Sequence, residues 1–528
     1  MAPSASETSI LIPINYTPNT TLPRTFTPLS LFALSFTILN SWGVLSASLP
    51  LSLSSGGPSA AIWGLLIVGA GNLCLATSLA EFLSAYPSAG GQYHWVYLTA
   101  PPKYARCLAW LTGWVTVFGW IAVAASASLL SSQLVVGLVV PREEGVEVGP
   151  LGKFGMYAVM TLVFFAVNVW MSKGLPALNK VGLLASVTGL LVIPVVALTC
   201  SWGRWAEPEF VFGGFINETG WPDGIAWLIG FLQAGVALNG FDAVSHVIEE
   251  IPNAPAVGPK VMIGSVAMGI LTGFYFLVTI LFSSGGADEI ENIIHSPLGP
   301  LMVILYNSTG SHAVATALLV FLFICGSFGG IAITTTSSRM VFAFARDGGL
   351  PASHIFEQVH ARYDIPFNAL CLSAILTGLL GCIFLISSTA FSAISSASVV
   401  TLTLSYCLPV ITNCAQGRKK LPARVFALPH TLGWIINIVG ISYALLTSVL
   451  FLLPAQYPIT RDTMNYGSVA LALVLFLSVA SWMTHGRKSY AGSPTLGNRQ
   501  ISDLMNREFE QESAPILRTG DSRNIGYE

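Results

Sequence analysis

Long apolar runs, each able to cross a bilayer, recur along most of this chain, at roughly 30 to 50, 60 to 85, 106 to 139, 153 to 172, 180 to 200, 225 to 250, 261 to 283, 313 to 344, 367 to 387, 391 to 413, 431 to 453 and 466 to 484. About 20 helical residues suffice to span the hydrocarbon, so the pattern predicts an all-α integral membrane protein of about twelve transmembrane helices. Composition agrees: 53% of the 528 residues are hydrophobic and 9% charged, against about 25% charged in a soluble domain. A net charge of −2 without a basic block gives no reason to expect a nucleic-acid partner. The eight cysteines lack Cys-x-x-Cys spacing and the eight histidines form no His-x-x-x-His cluster. They read as packing residues, with no disulfide framework and no metal site, which weakens the reading of a membrane metalloenzyme.

Residues 1–29 are polar and rich in Pro and Thr, with no basic region leading into an apolar core, and read as a disordered tail rather than a cleaved signal. Residues 30–485 form one transmembrane domain, and the polar 486–528 a second disordered tail. An even number of spans puts both termini on one side, and basic residues choose which. With the termini cytoplasmic, the inner loops and ends receive Arg24, Lys103, Arg106, Lys173, Lys180, Lys260, Arg339, Arg346, Arg362, Arg418, Lys419, Lys420, Arg424, Arg487 and Lys488, while only Arg142, Lys153, Arg204 and Arg461 lie outside. The same orientation leaves the glycosylation sequons at Asn15 and Asn19 inside and those at Asn217 and Asn307 outside.

The run IAWLIGFLQAGVALNGFDAVSHVIEEIP, residues 225–252, is interrupted at its middle. The stretch Leu238-Asn239-Gly240-Phe241 offers poor helix formers there, and Asp242 opens a second half. A lone Asp at the bilayer centre costs about 2.5 kcal/mol or more, so it is expected to face the protein interior. Backbone unwinds at that depth only where it lines a cavity or is buried in protein. The first span carries a matching interruption at Leu39-Asn40-Ser41-Trp42-Gly43-Val44, five helices earlier. Two interrupted spans in corresponding positions are what an inverted five-plus-five repeat with broken helices 1 and 6 would show, with a solute site at the interface, as in secondary transporters. The plainer reading is that small residues let helices approach closely.

Several motifs carry a resemblance. SLAE…YPSAGGQYHW at 78–95, NETGW at 217–221, GFDAVSHVIEE at 240–250 and SSRMVFAFARDGGLPAS at 337–353 together resemble the amino acid/choline transporter family of the amino acid-polyamine-organocation superfamily. SSTAF (388–392) and DTMNY (462–466) bring it nearest to fungal choline and 4-aminobutyrate permeases. The resemblance covers roughly residues 25–485. It implies the broken-helix fold with two added helices and a substrate held between the two unwound segments, with helices 3 and 8 closing the pocket.

The candidate binding residues are therefore Asn40, Ser41, Trp42, Gly43, Leu238, Asn239, Gly240, Phe241 and Asp242. Both half-helix N-termini would aim positive partial charge at the gap, and Asp242 would leave negative potential for a substrate ammonium group. Asp242 reads equally as an N-cap. Trp42 and Phe241 are expected to flank the gap and to offer aromatic faces to a quaternary ammonium, although each taken singly reads as packing. Many carriers of the superfamily hold a substrate carboxylate on a Gly-small-Gly run in helix 1. Here Ser41-Trp42-Gly43 stands in its place, and the bulk of Trp42 counts against that cradle.

His246 and Glu250 follow Asp242 at steps of four and Glu249 at seven, giving the inner half-helix one polar face. That face could carry protons, or His246 could simply bond between helices. Arg339, Arg346 and Asp347 before Gly348-Gly349 suit a cytoplasmic gate or the positive-inside rule, with Glu81 a plausible partner for either Arg. No cofactor is expected, and coupling, to a proton or to another ion, stays open. The overall reading is a plasma-membrane permease, not an enzyme, that moves choline or an amino acid such as 4-aminobutyrate. A nutrient sensor that retained the fold and a polyamine permease are the alternatives. Oligomeric state stays open.

Overall fold

The computed structural model describes residues 26–139, 148–296, 299–385, 390–460, 463–490 and 492. Most of both expected tails, the sequons at Asn15 and Asn19, and Arg24, Arg142 and Arg461 lie outside the described residues. Among the described residues the structure is helical, without named strands; only two isolated bridges, Ser55 with Asn217 and His360 with Ile365, have β pairing.

Among the described residues ten helices are long and apolar enough to cross a membrane, and two shorter apolar segments complete a roughly twelve-helix, multi-pass fold. In chain order the spans are Pro28–Ala47, Gly57–Ala85, Pro102–Leu138, Pro150–Trp170, Ser172–Cys200, Asp223–Ala237, Ala254–Phe282, His312–Arg346, Phe367–Gly381, Ala393–Ala415, His430–Leu450 and Gly467–Ser489; they are called the first to the twelfth span below. The second span packs on the seventh, and the third on both the eighth and the tenth. The first and tenth spans are 83% buried, whereas the fourth and twelfth are only 22% buried, so the former build the interior. The latter turn residues such as Val159, Leu162, Leu473 and Phe476 outward, which costs nothing where the surroundings are lipid.

Both expected breaks are present and differ in kind. The first span runs as a helix from Pro28, with Thr27 and Ser30 forming a capping box, to Leu39, and restarts at Ser41. The joint is Asn40 alone, at φ 33° and ψ 45°, a left-handed conformation that Asn tolerates better than most residues. Helical bonds flank it closely, from Asn40 N to Phe36 O and from Val44 N to Asn40 O. In the sixth span the helix ends at Ala237 and resumes only for Ala243–His246, followed by a 3-10 turn at Ile248–Glu250. Gly240 lies between at φ 92°, a conformation open to Gly at little steric cost.

The first and sixth spans cross in opposite senses, five crossings apart, so their breaks meet antiparallel as an inverted repeat requires. The Ser41 hydroxyl ties them, donating to the Ala237 carbonyl at 2.9 Å. Between the second and third spans, where Pro87, Gly90 and Gly91 predict a bend, the chain turns and enters a short helix, Gln92–Thr99. Gly91 sits at φ 54°, and a Cβ there would lie 2.8 Å from Ser245 Oγ, so this loop is pressed against the sixth span.

Candidate functional site

A small cavity opens beside the two breaks. Asn40 and Gly43 line it from the first span, Asn239 from the sixth, Ser126 and Ser131 from the third, Gly326, Gly329 and Gly330 from the eighth, and Ser398 from the tenth. The space exists because small residues face it. A Cβ on Gly43 would lie 2.6 Å from Asn40 Nδ2, so the bare glycine leaves room for that amide. Val44 and Ala47 also line the cavity, so it extends from the breaks along the second half of the first span, away from the chain termini. The wall is largely apolar, with amides and hydroxyls and no acidic or basic side chain among the lining residues.

Of the expected binding residues, Asn40, Gly43 and Asn239 line this space, and Ser41, Trp42, Leu238, Gly240, Phe241 and Asp242 do not. Asn239 Nδ2 donates to the Ser398 carbonyl at 3.2 Å, holding the sixth-span break against the tenth span. Trp42 turns toward the fifth span, where Nε1 donates to Ser186 Oγ at 2.9 Å and the ring packs on Phe276 at 5.1 Å. Phe241 packs on Tyr406, with ring centroids 4.6 Å apart. The pair of aromatic faces expected across the gap is therefore not formed. Since Trp42 lies outside the cavity, its bulk does not obstruct the first-span backbone either.

Asp242 is completely buried and makes no side-chain cap to the short helix that follows. Its carboxylate instead gathers donors from four places. Tyr406 OH donates to Oδ1 at 2.6 Å. Gln92 Nε2 and Trp120 Nε1 donate to Oδ2 at 2.6 and 3.2 Å, and His246 Nε2 lies 3.0 Å from the same oxygen. Tyr406 also accepts the Gly240 N–H at 3.2 Å, so a single hydroxyl joins the unwound backbone to the buried acid. Charge-assisted bonds of this kind are among the strong ones, and together they hold the sixth-span break in one geometry.

The polar groups beyond Asp242 close the end of the molecule that carries the chain termini. Arg339 pairs with Glu250 at 3.4 Å and Arg346 with Glu249 at 3.1 Å. His94 and Tyr93 reach Asp347 at 2.5 and 2.7 Å, Phe26 N donates to Glu250 O at 3.4 Å, and Arg106 donates to Tyr490 O at 2.9 Å. The continuous polar face expected on an inner half-helix is not there. The segment is one short turn and a 3-10 turn, so His246 faces Asp242 while Glu249 and Glu250 turn to the eighth span. Glu81 is likewise not the partner of Arg339 or Arg346. It binds Arg418 at 2.7 Å and Arg424 at 2.5 Å, and accepts the Leu428 N–H at 2.8 Å, strapping the loop after the tenth span to the second.

Sequence reasoning did not single out Gln92, Trp120, Tyr406, Ser126, Ser131 or Ser398. Two signals were available. Gln92 lies within the same YPSAGGQYHW run that carries the resemblance, and Ser395, Ser396, Ser398, Thr401 and Thr403 crowd one apolar span, a density of hydroxyls that suits a buried helix face better than lipid.

Residues 26–477 match the family described as Amino acid permease. A choline transporter of Saccharomyces cerevisiae is 31% identical over 494 residues, covering 93% of this chain and 87% of that protein. An amino-acid permease of Arabidopsis thaliana is 28% identical over 89% of this chain and 93% of its own length. Amino-acid permease 2 of Neurospora crassa is 28% identical over 93% and 91% respectively.

Proposed function

The chain belongs to the amino acid permease family, a multi-pass membrane permease and not an enzyme, and from that premise we propose that it is a secondary active transporter of a small amine-bearing solute, choline or an amino acid such as 4-aminobutyrate. The observation that carries the proposal is the cavity bounded by Asn40 and Asn239, one residue from each helix break. On one side of the breaks there is space; on the other, the Arg339–Glu250 and Arg346–Glu249 pairs and the loop before Gln92 close the path. That asymmetry is one of the two states of an alternating-access cycle. With both termini in the cytoplasm, as the basic residues imply, the closed end faces inward and the space faces outward, and the plasma membrane is the site of action.

The wall suits a small cation. Apolar groups can take the methyl groups of a quaternary ammonium, and the oxygens of Ser126, Ser131 and Ser398 can meet its positive charge without a competing fixed cation. A carboxylate-bearing solute would place its acid near the first-span backbone, which Trp42 leaves clear. The choline transporter of Saccharomyces cerevisiae supports testing choline first. The experiment is uptake of radiolabelled choline, 4-aminobutyrate and neutral amino acids in cells lacking their own carriers. Saturable uptake of one of them is expected with the wild-type chain and is expected to vanish in Ala127→Phe, which fills the cavity. Equal uptake with that variant, or none of any solute with the wild type, would overturn the proposal.

A further inference from the structure

The Asp242–His246 pair has a hydrogen count that an ionised carboxylate and a neutral ring cannot supply. The Ala89 carbonyl can only accept, so in its 2.9 Å contact with His246 the hydrogen sits on Nδ1. His246 Nε2 faces Asp242 Oδ2 at 3.0 Å. An ionised carboxylate is also an acceptor only, so a neutral ring bonded to Ala89 would set two lone pairs against each other at this contact. One further proton, shared by the pair, satisfies both. A second Asp–His pair among the described residues makes the contrast. His94 Nδ1 lies 2.5 Å from the Ser88 hydroxyl, which can donate, so a neutral His94 can still donate from Nε2 to Asp347 at 2.5 Å.

The extra proton is placed where it controls a moving part. The loop from Ser88 to His94 is held to the sixth span by the Ala89 carbonyl on His246, by Gln92 Nε2 on Asp242 at 2.6 Å, and by Ala89 N on Glu249 at 3.2 Å. If the pair loses its proton, either the Asp242 contact or the Ala89 contact must be given up, whichever nitrogen keeps its hydrogen. We infer that the Asp242–His246 pair binds the proton that drives the transport cycle, taking it up from the cavity side and releasing it to the closed side, and that this release unhooks the Ser88–His94 loop so that the closed end can open.

This rests on the transport reading above. The titratable and charged groups nearest the pair are Tyr406 of the tenth span and, toward the closed end, Glu249 with Arg346, Glu250 with Arg339 and Asp347 with His94. The third span contributes the neutral Trp120, and the first brings Ile38 against Gly240. The charged neighbours are thus paired with one another, and the shared proton belongs to Asp242 and His246.

The test uses the full chain in vesicles, with the membrane potential clamped and labelled choline, 4-aminobutyrate and neutral amino acids as probes. A pH gradient of one unit, alkaline inside, should raise accumulation of the transported probe about tenfold at one proton per solute, and the probe should acidify a lumen loaded with a pH dye. His246→Gln can donate to Asp242 without an extra proton; it should keep solute exchange and lose gradient-driven accumulation. Asp242→Asn can donate to a neutral ring without the extra proton, but it removes the acceptor that Oδ2 offers Gln92 and Trp120, so it should bind solute and move at least tenfold less of it. Gradient-driven accumulation retained in His246→Gln would overturn the inference. So would wild-type exchange with neither accumulation nor acidification, which leaves the transport reading standing. No exchange of any probe by the wild type removes both. Should His246→Gln fail to reach the membrane, Asp242→Asn decides, and gradient-driven accumulation retained in that variant would overturn the inference.

Discussion

Asn40, Trp42 and Asp242 show how differently single residues in one motif can behave. Asn40 bends the first span and faces the cavity, whereas Trp42, two residues on, is wholly buried behind it and bonded to Ser186. Trp42→Phe keeps most of the ring packing on Phe276 and removes the indole donor, so it should leave the KM of the transported solute within about twofold. A residue holding the ammonium group by its π-face would give a rise of several-fold, since the phenyl ring is a weaker cation-binding face than the indole. The side of the helix that Trp42 takes could not be read from sequence. Periodicity gives relative faces, and in a span buried all round every face is apolar. Asp242 was legible as a buried functional candidate because an acid amid apolar residues is costly. Its partners Gln92, Trp120 and Tyr406, 150, 122 and 164 residues away in the chain, were not, because no local pattern joins them.

At the scale of elements, the two breaks were legible because Asn and Gly carry the conformations that a break needs, and the loop after the second span because Pro87, Gly90 and Gly91 cannot continue a helix. Gly240 tests the sixth-span break. Its added Cβ would meet Ile38 and Trp120 only at 3.4 and 3.5 Å, ordinary contact distances, so the cost of Gly240→Ala lies in the backbone, about 1 to 3 kcal/mol at φ 92°. Uptake should fall several-fold with the protein still present in the membrane. Wild-type uptake in that variant would mean that the break tolerates a right-handed residue. The strap at Glu81 tests the other end. Glu81→Gln would leave Arg418 and Arg424 buried with half their partners, a loss of about 3 to 5 kcal/mol for a broken buried pair. A lower unfolding temperature of the detergent-purified protein is expected; an unchanged one would show that solvent reaches those guanidinium groups. Glu81 and Arg418 are 337 residues apart, and no local pattern in the sequence joins them.

At the scale of the whole molecule, the twelve-span plan was legible because burial in hydrocarbon is written into composition run by run, while the position of the empty space was not. A void is defined by what is missing, here the side chains that Gly43, Gly326, Gly329 and Gly330 do not have. The account therefore depends on that void being where the solute sits. Ser131 lines it on the side away from the closed end. In a background with the exposed Cys107 and Cys200 replaced by serine, Ser131→Cys should react with a membrane-impermeant thiol reagent added outside, and saturating transported solute should slow that reaction at least fivefold. Labelling at an unchanged rate with solute present, while uptake of the same solute proceeds, would contradict the central claim that the space between the two helix breaks is the transport site.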